Sequence, residues 1–459
     1  MVVARKISSK FIYFFGSFGG ILFGYDIGVM TGALPFLEHD WQLHNAAVIG
    51  WITSAVMFGA IFGGALAGQL ADRFGRRKLI LVAAALFAVG AILSMLAPNH
   101  GSYYLIGVRI ILGLAVGGAS AIVPAYMSEM APAKLRGRLS GLNQTMICTG
   151  MLLSYIMDYL LKNLPANWAW RLMLGLAAVP AVILYWGVLY LPESPRFLLQ
   201  QHQDAKARAV LMNLRTDDVS VVDQEMQSMN KTLQTHDQEQ KTSWLSLWRP
   251  RYRPLVIAGV GVAALQQFQG ANAIFYYIPL IIQKATGHAA SSALLWPVVQ
   301  GIILVSGSLL FLWIADRLPR RFLLILGGSV MGISFLLPAM VNWLLPNANP
   351  LLIVLFLSIY VAFYSFTWAP LTWVITGEIF PSAIRGKAAG VASSCNWIGS
   401  WAVGLLFPIM TAALPQEVVF AIFGVICLLG VLFVQRKVPE TRGHSLEEIE
   451  QQSMKKTGD

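Results

Sequence analysis

Charge is what this sequence has least of: only 12% of its 459 residues are Asp, Glu, Lys or Arg, about half the share carried by a soluble globular domain. That leaves too little solubilising surface for a soluble enzyme of this length, and the high apolar content excludes a disordered chain. Cysteine is scarce as well. Cys148, Cys395 and Cys427 lie far apart inside apolar runs, which excludes a disulfide framework and a zinc site built on paired cysteines. The seven histidines are scattered, without HExxH or ligand spacing inside one span, so neither a metal nor a cofactor is expected. A nucleotide-binding P-loop, an ATPase module and a nucleophile–base pair are also missing, and the chain is not read as an enzyme.

Apolar residues are what is abundant: they make up 56% of the chain and give a mean hydropathy of +0.63. They fall in runs of roughly 20 or more, the length a helix needs to cross about 30 Å of hydrocarbon. Hydropathy predicts twelve spans near 11–36, 46–70, 79–97, 103–127, 139–161, 171–191, 254–283, 290–315, 322–345, 350–379, 388–413 and 417–434. The first follows Arg5, Lys6 and Lys10 and shows no small-residue cleavage site, so it is expected to be retained rather than removed as a signal peptide.

A net charge of +11 on a soluble surface would suggest nucleic acid, but here it follows the membrane topology. Of the 33 Lys and Arg residues, all except Arg109, Lys162, Arg171 and Lys284 fall on the side of the predicted spans that also holds both ends of the chain. Positive loops stay in the cytoplasm, so both termini are expected there, in a multi-pass protein of the cell (inner or plasma) membrane with no nucleic-acid partner.

Residues 192–253 form the one long polar interruption and separate six spans from six. The organisation expected is a bundle over 1–191, a cytoplasmic linker over 192–253, a second bundle over 254–434 and a tail over 435–459. Within the linker, Asp204 is placed to cap a short helix with Val210, Leu211 and Leu214 on one face, and Val222, Met226, Met229 and Leu233 recur at helical spacing. Amphipathic helices against the membrane surface are the first reading and a flexible linker the second.

The two halves carry the same signals in the same order. Asp72-Arg73-Phe74-Gly75-Arg76-Arg77 recurs as Asp316-Arg317-Leu318-Pro319-Arg320-Arg321. Glu129 with Arg136-Gly137-Arg138 recurs as Glu378 with Arg385-Gly386-Lys387, and Pro192-Glu193-Ser194-Pro195-Arg196 recurs as Pro439-Glu440-Thr441-Arg442. A nearly constant offset of about 245–250 residues marks a duplicated six-helix unit. Six spans return the chain to its starting side, so the copies are parallel repeats about an axis along the membrane normal, and a site between them opens to either side by rocking.

Inside the spans, Asp26 and Arg109 stand out as ionisable groups that cannot easily reach an interface. Asp26 comes up from the cytoplasmic side and Arg109 down from the outer side, so the two are predicted to meet. Burial favours the neutral carboxyl and a guanidinium favours the charged one, so a pair whose separation changes would load and release a proton. A static ion pair orienting two helices is the alternative. Amides, which both donate and accept, and aromatic faces suit neutral polyhydroxylated ligands. Gln144, Gln266, Gln267, Asn272, Asn396, Trp373 and Trp397 offer such a set. Interhelical hydrogen bonding by the amides is the structural alternative. Asp72, Arg73, Arg76, Glu129, Arg136, Asp316, Arg317, Glu378 and Arg385 gather at cytoplasmic helix ends. They read as a latch of bridges between the half-bundles, or as positive-inside topology alone.

The repeated signatures resemble the major facilitator superfamily and, more narrowly, its sugar porter family. The narrower likeness rests on Pro192-Glu193-Ser194-Pro195-Arg196-Phe197-Leu198, Gln266-Gln267-Phe268-Gln269-Gly270-Ala271-Asn272 and Pro439-Glu440-Thr441-Arg442-Gly443 with Ser445-Leu446-Glu447-Glu448. The resemblance implies an all-α integral membrane protein, twelve transmembrane helices in two parallel-repeat bundles with short cytoplasmic helices between them, working as a monomer. It implies proton-coupled import of a monosaccharide such as xylose or glucose, with Asp26 as the protonation site and Arg109 as its partner. It assigns sugar contacts to Gln144, Gln266, Gln267, Asn272, Trp373 and Trp397, and places Phe23 and Tyr276 at the lining or gate of the cavity. A proton-independent facilitator, a non-transporting membrane sugar sensor and, further off, a drug/proton antiporter are the alternatives. Three positions depart from the family pattern: Pro319 replaces the usual glycine, Leu304 a common asparagine and Ala369 a glycine.

Overall fold

The computed structural model describes residues 9–130, 136–214, 219–239, 244–286, 293–315, 317–344, 351–381 and 384–442. Among them the chain is helical throughout, without strands. The first group comprises α1 (Ser9–Ser17), α2 (Gly19–Trp41), α3 (Ala46–Phe74), α4 (Arg76–Met95), α5 (Ser102–Met130), α6 (Arg136–Leu161), α7 (Ala166–Leu176) and α8 (Ala178–Leu189). After the polar segment come α12 (Arg253–Phe268), α13 (Ala271–Thr286), α14 (Leu295–Ile314), α15 (Arg320–Leu344), α16 (Leu351–Phe366), α17 (Trp368–Glu378), α18 (Arg385–Ala413) and α19 (Gln416–Lys437).

Ten helical segments among the described residues are long and apolar enough to cross a membrane. The two other expected spans are present as helices and fall short for visible reasons. α6 is diluted by Asn143, Gln144 and Asp158. The seventh span is broken at Gly270, whose φ of +90° is left-handed backbone that a helix cannot continue through. This leaves α12 and α13 at 16 residues each. The span over residues 351–378 breaks similarly at Thr367, with Pro370 in the first turn of α17, where a missing N–H costs nothing.

Small residues let the helices approach closely. On α3 and α5, Gly59 and Gly63 face Gly113 and Gly117 at four-residue spacing, and a methyl group on any of them would overlap backbone of the other helix. α2 lays a stripe of Gly20, Gly24, Gly28 and Gly32 along α6, against Asn143, Ile147, Ser154 and Asp158 in turn. Such stripes are how helices associate where lipid removes the hydrophobic drive between them.

The two groups meet through α2 with α13, α3 with α18 and α6 with α14. On the face where α2 ends, here the Trp41 face, this seam is tight. A Cβ on Gly50 of α3 would lie 2.5 Å from the Leu405 carbonyl oxygen of α18. Thr31 Oγ1 donates to the Phe275 carbonyl at 2.5 Å, and the Tyr277 hydroxyl meets Thr53 Oγ1 and donates to Gly404 O at 2.7 Å. Toward the opposite, Phe74 face the seam opens: a Cβ on Gly64 would reach the Trp397 indole only at 3.7 Å, and one on Gly68 would meet nothing within 4 Å.

The polar segment forms α9 (Pro195–Gln200), α10 (Asp204–Leu214) and α11 (Val219–Glu239), then a 3₁₀ turn over Trp244–Trp248. Asp204 stands in the first turn of α10, and Leu198, Leu199 and Ala207 form a small core with Val210, Met226 and Met229. The apolar stripes expected of amphipathic helices are therefore packed on one another. The side chain of Leu233 lies outside the described residues.

Candidate functional site

Asp26 falls at the middle of the continuous 31-residue helical stretch Phe11–Trp41, and Arg109 lies early in α5. Both are 1% exposed, and Asp26 Oδ2 stands 3.6 Å from Arg109 Nη2. The structure thus brings together the two ionisable groups read from the spans. Their separation is that of an ion pair and longer than a hydrogen bond. Neither Asp26 Oδ2 nor Arg109 Nη2 has a hydrogen-bond partner among the described residues. The buried Tyr276 of α13 lies in the field of both groups, its hydroxyl likewise unpartnered. Each group comes from a different helix, and Tyr276 comes from across the seam.

The amides of the second group form one connected network. Gln266 Nε2 donates to the Ala369 carbonyl in the first turn of α17 at 3.1 Å. Gln267 Nε2 donates to Gln266 Oε1 at 3.2 Å and Asn396 Oδ1 at 3.3 Å. Asn396 Nδ2 donates to Gln266 Oε1 at 2.6 Å and to Ala263 O. Asn272, brought back by the turn at Gly270, donates to Gln267 Oε1 at 2.9 Å and Ser400 Oγ at 2.6 Å. Gln144, on α6 across the seam, stays out of this network and touches Cys148 Sγ at 3.7 Å.

Trp397 is buried and meets Phe23 edge-on across the seam, ring centroids 5.2 Å apart, with its indole N–H unpartnered among the described residues. Trp373 is 43% exposed, toward the end of the seam that is open. Leu304 and Ala369, two of the departures from the family pattern, are both buried, Ala369 with its carbonyl on Gln266.

The charged residues at the Phe74 face form two matching clusters. Arg76 pairs with Asp72 at 2.8 Å and with Glu129 at 3.2 Å, and Ser194 Oγ donates to Glu129. In the second group Arg320 pairs with Glu378 at 3.5 Å, and Thr441 Oγ1 donates to Glu378 at 2.7 Å. Glu193 accepts the backbone N–H of Arg77 at 3.0 Å, and Glu440 accepts those of Arg320 and Arg321 at 2.9 and 3.0 Å. A carboxylate on the free amides of a helix start is favoured by the helix dipole. Every one of these pairs lies within one half of the molecule or between it and the segment that follows it, and none of them bridges the two halves. Arg73 stacks on Phe74, Arg317 on Trp313 at 3.9 Å, and Arg385 donates to the Phe380 carbonyl at 3.1 Å. Asp316 and the side chain of Arg136 lie outside the described residues.

Sequence reasoning missed Arg320, although its position in the repeated signature matches Arg76. It also missed the capping glutamates, Ser194 and Thr441, which the third repeated motif contains. Two buried polar groups of the spans escaped notice altogether: Asp158 on α6 and Gln300 on α14, each 1% exposed.

Residues 12–452 match the family described as "Sugar (and other) transporter". A D-xylose transporter of Levilactobacillus brevis is 40% identical over 457 residues, 99% of this chain and 98% of that protein. The glucose transporter GlcP of Staphylococcus epidermidis is 39% identical over 454 residues, 99% of each. Among solved structures, the inward-open conformation of the xylose transporter XylE from E. coli superposes with a TM-score of 0.82 at 29% identity, covering 96% of this chain and 99% of that one. The proton:xylose symporter XylE bound to 6-bromo-6-deoxy-D-glucose gives 0.81 at 29% identity, covering 96% and 98%.

Proposed function

The chain belongs to the sugar transporter family, and on that premise we propose that it imports a monosaccharide together with a proton across the cell membrane, by alternating access between two six-helix halves, residues 1–191 and 254–434, joined by the linker 192–253. The excess of Lys and Arg in the loops of the Phe74 face assigns that face and both termini to the cytoplasm. The tight Trp41 face is then the outer side, and the conformation described is open toward the cytoplasm. The transporter works as a monomer.

The observation that carries proton coupling is the buried Asp26–Arg109 pair at 3.6 Å. A charge removed from water without full hydrogen bonding is costly, and Arg109 offsets that cost only while Asp26 is ionised. With the outer side open, Asp26 takes a proton from outside water and frees Arg109. Once the molecule has closed outside and opened inside, the carboxyl loses the proton to the cytoplasm and the pair re-forms. Tyr276, reaching the pair from the other half, ties its state to the seam. The sugar lies between the halves, its hydroxyls on Gln144, Gln266, Gln267, Asn272 and Asn396 and its C–H face on Trp373 or Trp397. Phe23 and Tyr276 border it. The charge clusters act as a latch. In this conformation Arg76 and Arg320 rest on carboxylates of their own half. With the inside closed, these clusters meet across the seam.

Xylose, glucose, galactose and arabinose added in turn to de-energised vesicles test the reading. The transported sugar should make the outside more alkaline. Asp26→Asn should lose accumulation against a gradient yet keep exchange of labelled sugar at equal concentrations. Exchange without alkalinisation in the unaltered protein would mean a facilitator, and binding without exchange a sensor.

A further inference from the structure

Asp158 is the buried carboxylate that the mechanism above leaves unused. It lies on α6 three residues before the helix ends at the outer face and is 1% exposed. Its side chain packs on the backbone of Gly32, where a methyl group on that glycine would overlap the carboxyl. Neither oxygen has a side-chain hydrogen-bond partner among the described residues. Gly32 is six residues beyond Asp26 along α2, roughly 9 Å at 1.5 Å per residue. Asp158 therefore stands between Asp26 and the outside.

Among the described residues its surroundings hold no cation to keep it charged. Tyr25 of α2 and Tyr155, one turn back on α6, both lie in its field. Arg171 of α7 is engaged by the Met95 carbonyl and Asn99, and Arg109 of α5 by Asp26. Lys162 sits over the Tyr159 ring at 3.6 Å. α14, packed on the same helix, contains no titratable residue. An unpaired carboxylate in such a place would be far too costly, so the group is held with its proton on. Tyr276 lies in the field of Tyr155 as well as of Asp26 and Arg109. Asp158, Tyr155, Tyr276 and Asp26 are thus a succession of buried ionisable side chains from the outer end inward, with no hydrogen bond joining them among the described residues.

We propose that Asp158 is a second proton-binding group of the transport cycle, on the outer approach to Asp26. It keeps its proton while the outer seam is closed. When α13 and α14 withdraw and water reaches the α2–α6 groove, it releases and regains that proton from outside. The proton it releases passes through that water to Asp26, and the one it regains comes from outside, so each cycle takes up one proton from outside and none is created or lost. The coupling role rests on the symport reading; the titration itself does not.

Two measurements on the full-length protein in vesicles separate these. Infrared difference spectra between acid and alkaline outside buffer should show a protonated-carboxyl band that is lost in Asp158→Asn and kept in Asp26→Asn. In transport, Asp158→Asn should exchange labelled sugar within twofold of the unaltered protein, because an amide preserves the shape and packing of a neutral carboxyl. Its proton-driven uptake should fall at least tenfold and lose its dependence on outside pH. Loss of the band with no proton-driven uptake even in the unaltered protein would overturn symport and keep Asp158 as a titrating group. A band unchanged in Asp158→Asn, or an uptake rate and pH profile unchanged by that substitution, would overturn the proposal. Asp158→Ala, which leaves a gap beside Gly32, should reduce exchange as well; equal loss of exchange in Asp158→Asn would mark a packing role and overturn the proposal too.

Discussion

Gln266 uses both ends of its amide, donating to the Ala369 carbonyl in the first turn of α17 and accepting from Gln267 and Asn396. Removing it leaves those partners unsatisfied whether or not sugar is present, and deprives a bound hydroxyl of its partner. Gln266→Ala should therefore weaken sugar binding by about 1–3 kcal/mol, roughly 5- to 150-fold, in the half-saturating concentration for exchange. Unchanged affinity would remove Gln266 from the site. Residues of this kind were legible because an amide inside a span has few reasons to be there, and Asp26 and Arg109 because a mid-span charge has fewer still. Asp158 was not, because a carboxylate near a helix end reads as one that reaches water. Only the packing of Gly32 against it shows that it does not.

At the scale of the helix, hydropathy showed where the chain crosses lipid but not how neighbours fit. The four glycines of α2 at four-residue spacing and the facing pairs on α3 and α5 were present in the sequence, yet a glycine stripe acquires meaning only when its partner helix is known. The break at Gly270 was visible through the glycine beside two glutamines. The break at Thr367 was hidden within an uninterrupted apolar run. The α3–α5 crossing offers a contrast within one helix. Gly113→Ala places a methyl against the Val56 carbonyl, while the same change at Gly118 meets nothing within 4 Å. Gly113→Ala should destabilise the protein by about 1–3 kcal/mol through overpacking. Gly118→Ala should be neutral or stabilise by up to about 1 kcal/mol through helix propensity. Thermal unfolding in detergent checks both, and equal midpoints for the two variants would show that the crossing yields without cost.

For the whole molecule, the decisive feature is that α3 and α18 touch at one end and part at the other, because this is the geometry a rocking motion has to reverse. Ser54 and Gly404 face each other where they touch: a Cβ on Gly404 would stand 3.1 Å from that of Ser54, close to the span a disulfide bridges after a small shift. The three native cysteines are elsewhere, two of them buried. Oxidising the Ser54→Cys, Gly404→Cys double variant should pin the outer seam shut. Uptake from outside would then cease, a reductant would restore it, and sugar would still bind from the cytoplasmic side. Either single variant, lacking a partner thiol, should transport normally under the same oxidant. A cross-linked protein that still carries sugar inward would show that the halves do not separate between α3 and α18. The route through the seam lined by Thr31, Thr53 and Tyr277 would then have to be abandoned.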